Sequence, residues 1–224
     1  RYFGTPIYLF NTGIGLIFLV LAGGAAVVMG GRLQMQLAAA GPFPMLILAA
    51  AVIGFLLSTV AITGSSISLE GQNLWIIKES PVSAREALDM KTGFQLLLTC
   101  PCAAVCAGGL TWGLGLSPAE GGVLLLFSMA FAGFTALMGL AVNLLFPKLD
   151  AVNDMVVVKQ SAAALLSTFG GMAAALACGG LVWGLSGSIG ETASLASCAA
   201  ALLPACGLLV RWLHTRGAER FMEL

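Results

Sequence analysis

Hydrophobic and polar positions fall along this chain in long blocks rather than short periods. Six apolar runs each reach the ~20 helical residues needed to cross a bilayer core. They lie roughly at Ile7–Met29, Phe43–Ile62, Gly93–Leu116, Gly122–Leu145, Ala162–Leu185 and Leu195–Leu213. Helix-breaking residues mark several ends. Pro6 and Gly30-Gly31-Arg32 bracket the first run, Pro42 and Pro44 open the second, and the SPAEGG link at 117–122 reads as a tight turn. The pattern predicts an all-α membrane protein, a single transmembrane domain over residues 1–224 with six transmembrane helices.

The longest polar interruption runs from Ser66 to Lys91, inside a loop spanning 63–92. Ser68 is placed to cap a short helix, with Glu70 in its first turn where a negative charge meets the positive helix end. That helix would carry Leu74, Trp75, Ile76 and Ile77, and Pro81 would end it. Ser83-Ala84-Arg85-Glu86 then has the spacing of a capping box, in which the serine and glutamate side chains satisfy each other's backbone N–H groups. It starts a second helix that runs through Lys91 into the third span. The loop therefore reads as helix, break, helix, displaying an apolar LWII patch. Such a patch serves either a protein partner or the lipid surface.

Composition supports the membrane reading. The chain is 59% hydrophobic and 9% charged, with a mean hydropathy of +1.00, against about 25% charged residues in soluble domains. Formal net charge is zero, which gives no pull toward nucleic acid. Lys and Arg are retained on the cytoplasmic side in short loops. With a cytoplasmic N-terminus, Arg1, Lys78, Arg85, Lys91, Lys148, Lys159, Arg211, Arg216 and Arg220 fall inside and Arg32 alone outside. Both termini are therefore expected in the cytoplasm. Trp112 and Trp183 fall near outer span ends and Trp212 near an inner one. The chain opens at Arg1, and a mature or excised piece of a longer protein is expected.

The spans hold no Asp, Glu, Lys, Arg or His at depth, whereas ion-coupled carriers keep such groups there to move the ion. Asn11, Gln95 and Asn143 are the buried polar candidates and read as interhelical glue. Pro101 and Pro204 lie within spans three and six, where proline removes a backbone hydrogen bond and kinks a helix. Cys100, Cys102, Cys106, Cys178, Cys198 and Cys206 lack a nearby histidine or carboxylate and read as small buried hydrophobes, with no metal site. Gly184-Leu185-Ser186-Gly187 matches the GxSG of rhomboid intramembrane proteases. The lone His214 sits a full span away, about 30 Å at 1.5 Å per residue, too far for a Ser–His dyad. The stretch Gly108–Leu114 echoes Gly179–Leu185, and each copy carries a GxxxG spacing (Gly109/Gly113, Gly180/Gly184) that permits close helix contact. The echo reads either as chance in a Gly/Leu-rich chain or as similar packed, outward-facing corners at the ends of spans three and five.

The run from Ser68 to Lys78, followed by Ser80-Pro81-Val82-Ser83, resembles the first cytoplasmic loop of ABC-2-type exporter permeases, the membrane subunits of bacterial ATP-driven exporters. Tyr2-Phe3-Gly4-Thr5-Pro6-Ile7-Tyr8 with Asn11-Thr12-Gly13 is similar to the entry of a span in that family. So is the second inner loop, Phe146-Pro147-Lys148-Leu149-Asp150 leading to Lys159-Gln160-Ser161. Glu79 departs from the pattern, where an apolar or small residue is expected.

The resemblance implies a coupling helix between spans two and three that docks on a nucleotide-binding ATPase subunit. Glu70, Leu74, Trp75, Ile77, Lys78 and Glu79 are the implied contacts, and Asp150, Asp154 and Lys159 a secondary one. The chain has no GxxxxGK[ST] phosphate loop, so ATP and Mg would bind on the partner and no cofactor on this chain. Neither enzymatic activity nor a catalytic residue is expected here. A second copy, or a second permease half, would complete the pathway in a bacterial inner membrane. The alternatives are a carrier driven without ATP, or a scaffold or immunity-type membrane protein.

Overall fold

The computed structural model describes residues 6–40, 44–150 and 154–224. Among them there are helices and turns but no strand. Ten α-helices follow in order: α1 (Pro6–Ala40), α2 (Met45–Thr59), α3 (Thr63–Ser66), α4 (Leu74–Lys78), α5 (Ala84–Gly113), α6 (Pro118–Leu145), α7 (Asp154–Gln160), α8 (Ala162–Ile189), α9 (Glu191–Trp212) and α10 (Ala218–Glu223). A π-helical turn, Leu213–Gly217, joins α9 to α10. Six of the helical segments are long and apolar enough to cross a membrane, as the blocks of the sequence predict.

Helix α6 is the hub, packed against α2, α3, α5, α8 and α9. Its buried face carries Leu124, Phe127, Phe131 and Leu140, and the Phe127 and Phe131 rings stack at 5.6 Å. The outer faces of α1 and α8 remain apolar. Phe10, Ile17, Leu21 and Val28 on α1 are exposed, as are Leu166, Phe169, Leu176 and Leu181 on α8. Apolar residues on an outer face suit a chain solvated by lipid.

The expected stop at Gly30-Gly31-Arg32 is absent. Helix α1 continues for 35 residues to Ala40, about 52 Å at 1.5 Å per residue. The glycines serve packing instead. Gly23, Ala26 and Gly30 of α1 lie against Gly109 and Gly113 of α5, so close that a Cβ on Gly30, Gly109 or Gly113 would overlap the neighbouring backbone. A Cβ on Gly23 would lie 2.8 Å from the Val105 carbonyl oxygen. Small residues allow this approach between membrane helices. The echo motif on α8 behaves differently, because among the described residues nothing lies within 4 Å of a Cβ placed on Gly180 or Gly184. The two copies therefore do not form similar packed corners.

The link between α5 and α6 is shorter than expected. Gly115, at φ +67°, lets the chain reverse. Its N–H donates to the Trp112 carbonyl and that of Leu116 to Thr111, the two bonds of a Schellman ending. Helix α6 begins at Pro118 under a second capping box, Ser117 with Glu120. Pro101 and Pro204 both lie inside continuous helices, with exposed rings.

Candidate functional site

The helices alternate in direction and gather most of the charges at one end. Lys78, Arg85, Lys91, Lys148, Arg211, Arg216 and Arg220 lie beside the α2–α5 connection, the end of α6 and the end of α9. Arg32 lies toward the far end, where the Gln34 amide donates to the Gly113 carbonyl at 2.8 Å. No Asp, Glu, Lys, Arg or His among the described side chains is buried.

The second span breaks at this charge-rich end. Helix α2 stops at Thr59 and the next helix, α3, starts at Thr63. The interruption frees backbone groups that lipid cannot satisfy, and side chains of α5 and α1 supply partners. Gln95 of α5 accepts from the Thr63 N–H at 2.8 Å and donates to the Val60 carbonyl at 3.0 Å. Tyr8 of α1 donates its hydroxyl to the Ile62 carbonyl. Thr63 donates its own hydroxyl to the Ala136 carbonyl of α6 at 2.7 Å.

Asn143, near the end of α6, holds the next turn. Its Oδ1 accepts from the N–H groups of Ile67 and Ser68 at 2.7 and 3.2 Å, and its Nδ2 donates to the Ser68 hydroxyl at 2.7 Å. The Ser68 oxygen also accepts from the Lys148 N–H at 3.0 Å. Ser68 is therefore not the cap of a short helix. It is buried, and it ties the first polar loop to the second. Gln95 and Asn143 are the interhelical glue that the sequence suggests. Asn11 is not, since it is exposed on α1.

After a 3-10 turn at Gly71–Asn73, α4 carries the LWIIK segment. Leu74 faces inward, packed with Ile67, Leu88, Leu144, Leu213 and Phe221. The displayed patch is thus smaller than LWII. Trp75 and Ile76 are exposed, at 61% and 53%, and Ile77 is half-buried. Lys78 donates to the Met222 carbonyl of α10 at 3.0 Å. Glu79 is exposed and its N–H closes the helix on the Trp75 carbonyl. Glu70 turns back to pair with Lys91 at 3.0 Å, and Lys91 also donates to the Ser66 carbonyl at 3.2 Å.

The expected capping box starts α5. The N–H and hydroxyl of Ser83 both reach Glu86, at 2.8 Å each. These bonds hold the exposed Glu86 carboxyl below its ordinary value, the backbone bond contributing most. Glu86 lies ahead of the apolar stretch of α5 that begins at Gly93. Farther along, Asp89 meets His214 of the π turn at 2.7 Å. Arg220 of α10 donates to the carbonyls of Leu144 and Leu145 and so caps the end of α6.

Asp150 is exposed beside this end. Asp154 and Lys159 have their backbones in α7, but their side chains lie outside the described residues, as do Tyr2 to Thr5 of the resemblance. Ser186 sits at the Ile189 end of α8, with its hydroxyl on the Trp183 carbonyl. His214 lies beyond the opposite end of α9.

The sequence reading missed the break in span two and its clamps. Thr59, Val60, Ile62 and Thr63 form a β-branched cluster that disfavours helix, and this was the available signal. Comparison of the chain with protein-family models, curated proteins and solved structures finds no match.

Proposed function

We propose that this chain is the membrane-spanning subunit of an ATP-driven exporter of the ABC-2 type, set in a bacterial inner membrane with both termini in the cytoplasm. On this reading the charge-rich end faces the cytoplasm, in keeping with the retention of Lys and Arg there. Helix α4 is the coupling helix. It docks on a separate ATPase subunit, which binds ATP and Mg, and a second copy or permease half completes the pathway.

One observation carries the reading. Trp75 stands exposed on a short helix whose flanks and underside are tied to α5, α6 and α10. The ties are the Glu70–Lys91 pair, the Ser68–Asn143 knot and the Lys78–Met222 bond. A buried aromatic anchors many protein interfaces, and Trp75 with Ile76 offers one. A displacement imposed there would pass into three helices through these links, of which the Ser68–Asn143 bond is buried, the Glu70–Lys91 pair part-buried and the Lys78–Met222 bond exposed. Glu79, with Asp150, Asp154 and Lys159 of the second loop, would set partner choice through charge.

The test is co-purification of the full-length protein with the ATPase encoded beside its gene. Trp75→Glu is expected to lose that partner while the membrane part keeps its unfolding midpoint. Cysteine labelling at position 75 that succeeds only from the cell exterior would end the proposal. So would an ATPase retained in full by Trp75→Glu.

A further inference from the structure

Helices α8 and α9 form an antiparallel hairpin that reverses at Gly190, whose φ of +83° suits a residue without a Cβ. Each helix turns a buried stripe toward its neighbours, Cys178 and Val182 on α8 and Leu195, Cys198 and Leu202 on α9. Cys178 and Val182 stand four positions apart, and Leu195 and Cys198 three, so each pair shares a helix face. The two stripes meet in one apolar cluster, where a small cavity is lined by Cys178, Val182 and Leu195. The Cys178 and Cys198 side chains interact directly with one another. They are 8% and 7% exposed, and both thiols are free.

The depth of the pair restricts its chemistry. Cys178 lies about 16 Å from the Ile189 end of α8, and Cys198 about 10 Å from the start of α9 at Glu191, at 1.5 Å per residue. Both lie within the apolar part of the hairpin, away from oxidants and thiols dissolved in water. A soft cation such as Cu(I) could take two thiolates, but the complex would carry a net negative charge. No Lys, Arg or His side chain among the described residues is buried to balance it. Nor does a third metal-ligating side chain join the pair among those residues. An unpaired charge is costly in such surroundings, whereas oxidation to a disulfide leaves no charge at all. The cavity beside Cys178, about 10 Å³ and walled by Ile47, Ala50, Phe127 and Leu195, is apolar and therefore dry. It gives the sulfur room to turn onto its partner.

We propose that Cys178 and Cys198 are a redox site, oxidised within the bilayer by a lipid-soluble quinone to a disulfide that staples α8 to α9. Two S–H bonds break and one S–S bond forms. The two electrons and two protons pass to the quinone, which leaves as the quinol. The oxidant is neutral and apolar because it must arrive through lipid, along an outer face that exposes Leu176, Leu181 and Leu203. The staple fixes the hairpin on both sides of Gly190. Cys206 takes no part, since its thiol turns to the Ala130 carbonyl of α6 at 3.8 Å, and Cys100, Cys102 and Cys106 belong to α5. The site stands independently of the transport proposal.

The test uses the reduced full chain in nanodiscs, treated with a fully substituted, short-tailed benzoquinone or with aqueous ferricyanide, then denatured and alkylated with N-ethylmaleimide. Of the six cysteines, the quinone is expected to remove two from alkylation, read in the intact mass, with one quinol formed per chain. Peptide mapping should link Cys178 to Cys198. Ferricyanide should leave all six alkylated. Cys178→Ser and Cys198→Ser should each keep every remaining thiol after quinone treatment, while Cys206→Ser should still lose two. If a serine variant does not fold, the alanine variant at that position replaces it, and the wild-type peptide map decides in any case. Six alkylated cysteines in folded wild type after quinone treatment would overturn the proposal. So would a disulfide mapped to any other pair, or oxidation by ferricyanide equal to that by the quinone.

Discussion

Replacing Asn143 with leucine removes the clamp on the first polar loop while nearly keeping side-chain volume. The Ile67 and Ser68 N–H groups, bonded at 2.7 and 3.2 Å, lose their acceptor in a buried site. The Ser68 oxygen keeps only the Lys148 N–H. Each orphaned buried donor costs about 1–3 kcal/mol. The longer Ser68 bond belongs at the low end, so the total is roughly 2–4 kcal/mol. The loss is local, because the loop can open without unfolding the helix bundle. Opening of 67–80 should therefore become roughly 30- to 1,000-fold more frequent, at a factor of ten per 1.4 kcal/mol. Hydrogen exchange of the full chain in nanodiscs reads this directly. Peptides covering 63–80 should exchange faster, while those from the α8–α9 hairpin stay unchanged. Ser68→Ala should act in the same direction, because it takes the acceptor from the buried Asn143 amide and the part-buried Lys148 N–H, at about 1–3 kcal/mol for the buried donor. The two changes share one hydrogen bond, so the double variant should lose less than the sum. If the 63–80 peptides of a folded Asn143→Leu protein exchange within about twofold of wild type, the knot does not hold the loop and the reasoning fails.

Three further outcomes are expected. Gly113→Leu should drive α1 from α5 and destabilise the fold by roughly 1–3 kcal/mol or more, whereas Gly184→Leu on the open face of α8 should leave the unfolding midpoint unchanged; equal effects would refute the packing assignment. Trp75→Ala should cost an ATPase partner at least ~2 kcal/mol of affinity with no change in thermal unfolding, measured by titrating the purified partner. The folded-state pKa of Glu86 lies below its ordinary 4.5, so its contribution is present above that value and is lost as pH falls through the lower, folded one. The stability gap between wild type and Glu86→Ala should accordingly close on acidification below about pH 4.5, and a gap that widens there would contradict the capping geometry.

The six spans, the charge-rich end and the Ser83–Glu86 capping box were legible in the residues, because each depends on local chemistry. A run of apolar side chains cannot face water whatever it packs against, and a capping box closes within four positions. The interruption of span two was not legible in this way. No proline or glycine marks Val60 to Ile62, and the groups that stabilise the opened backbone come from Tyr8 and Gln95, between 32 and 54 positions away. The glycine motifs show the same division. Gly109/Gly113 and Gly180/Gly184 have the same spacing, yet one pair meets α1 and the other meets no neighbour among the described residues. A local pattern says only that close approach is permitted. Which helix arrives, and which face of LWII is left outside, is decided by the packing of the whole bundle.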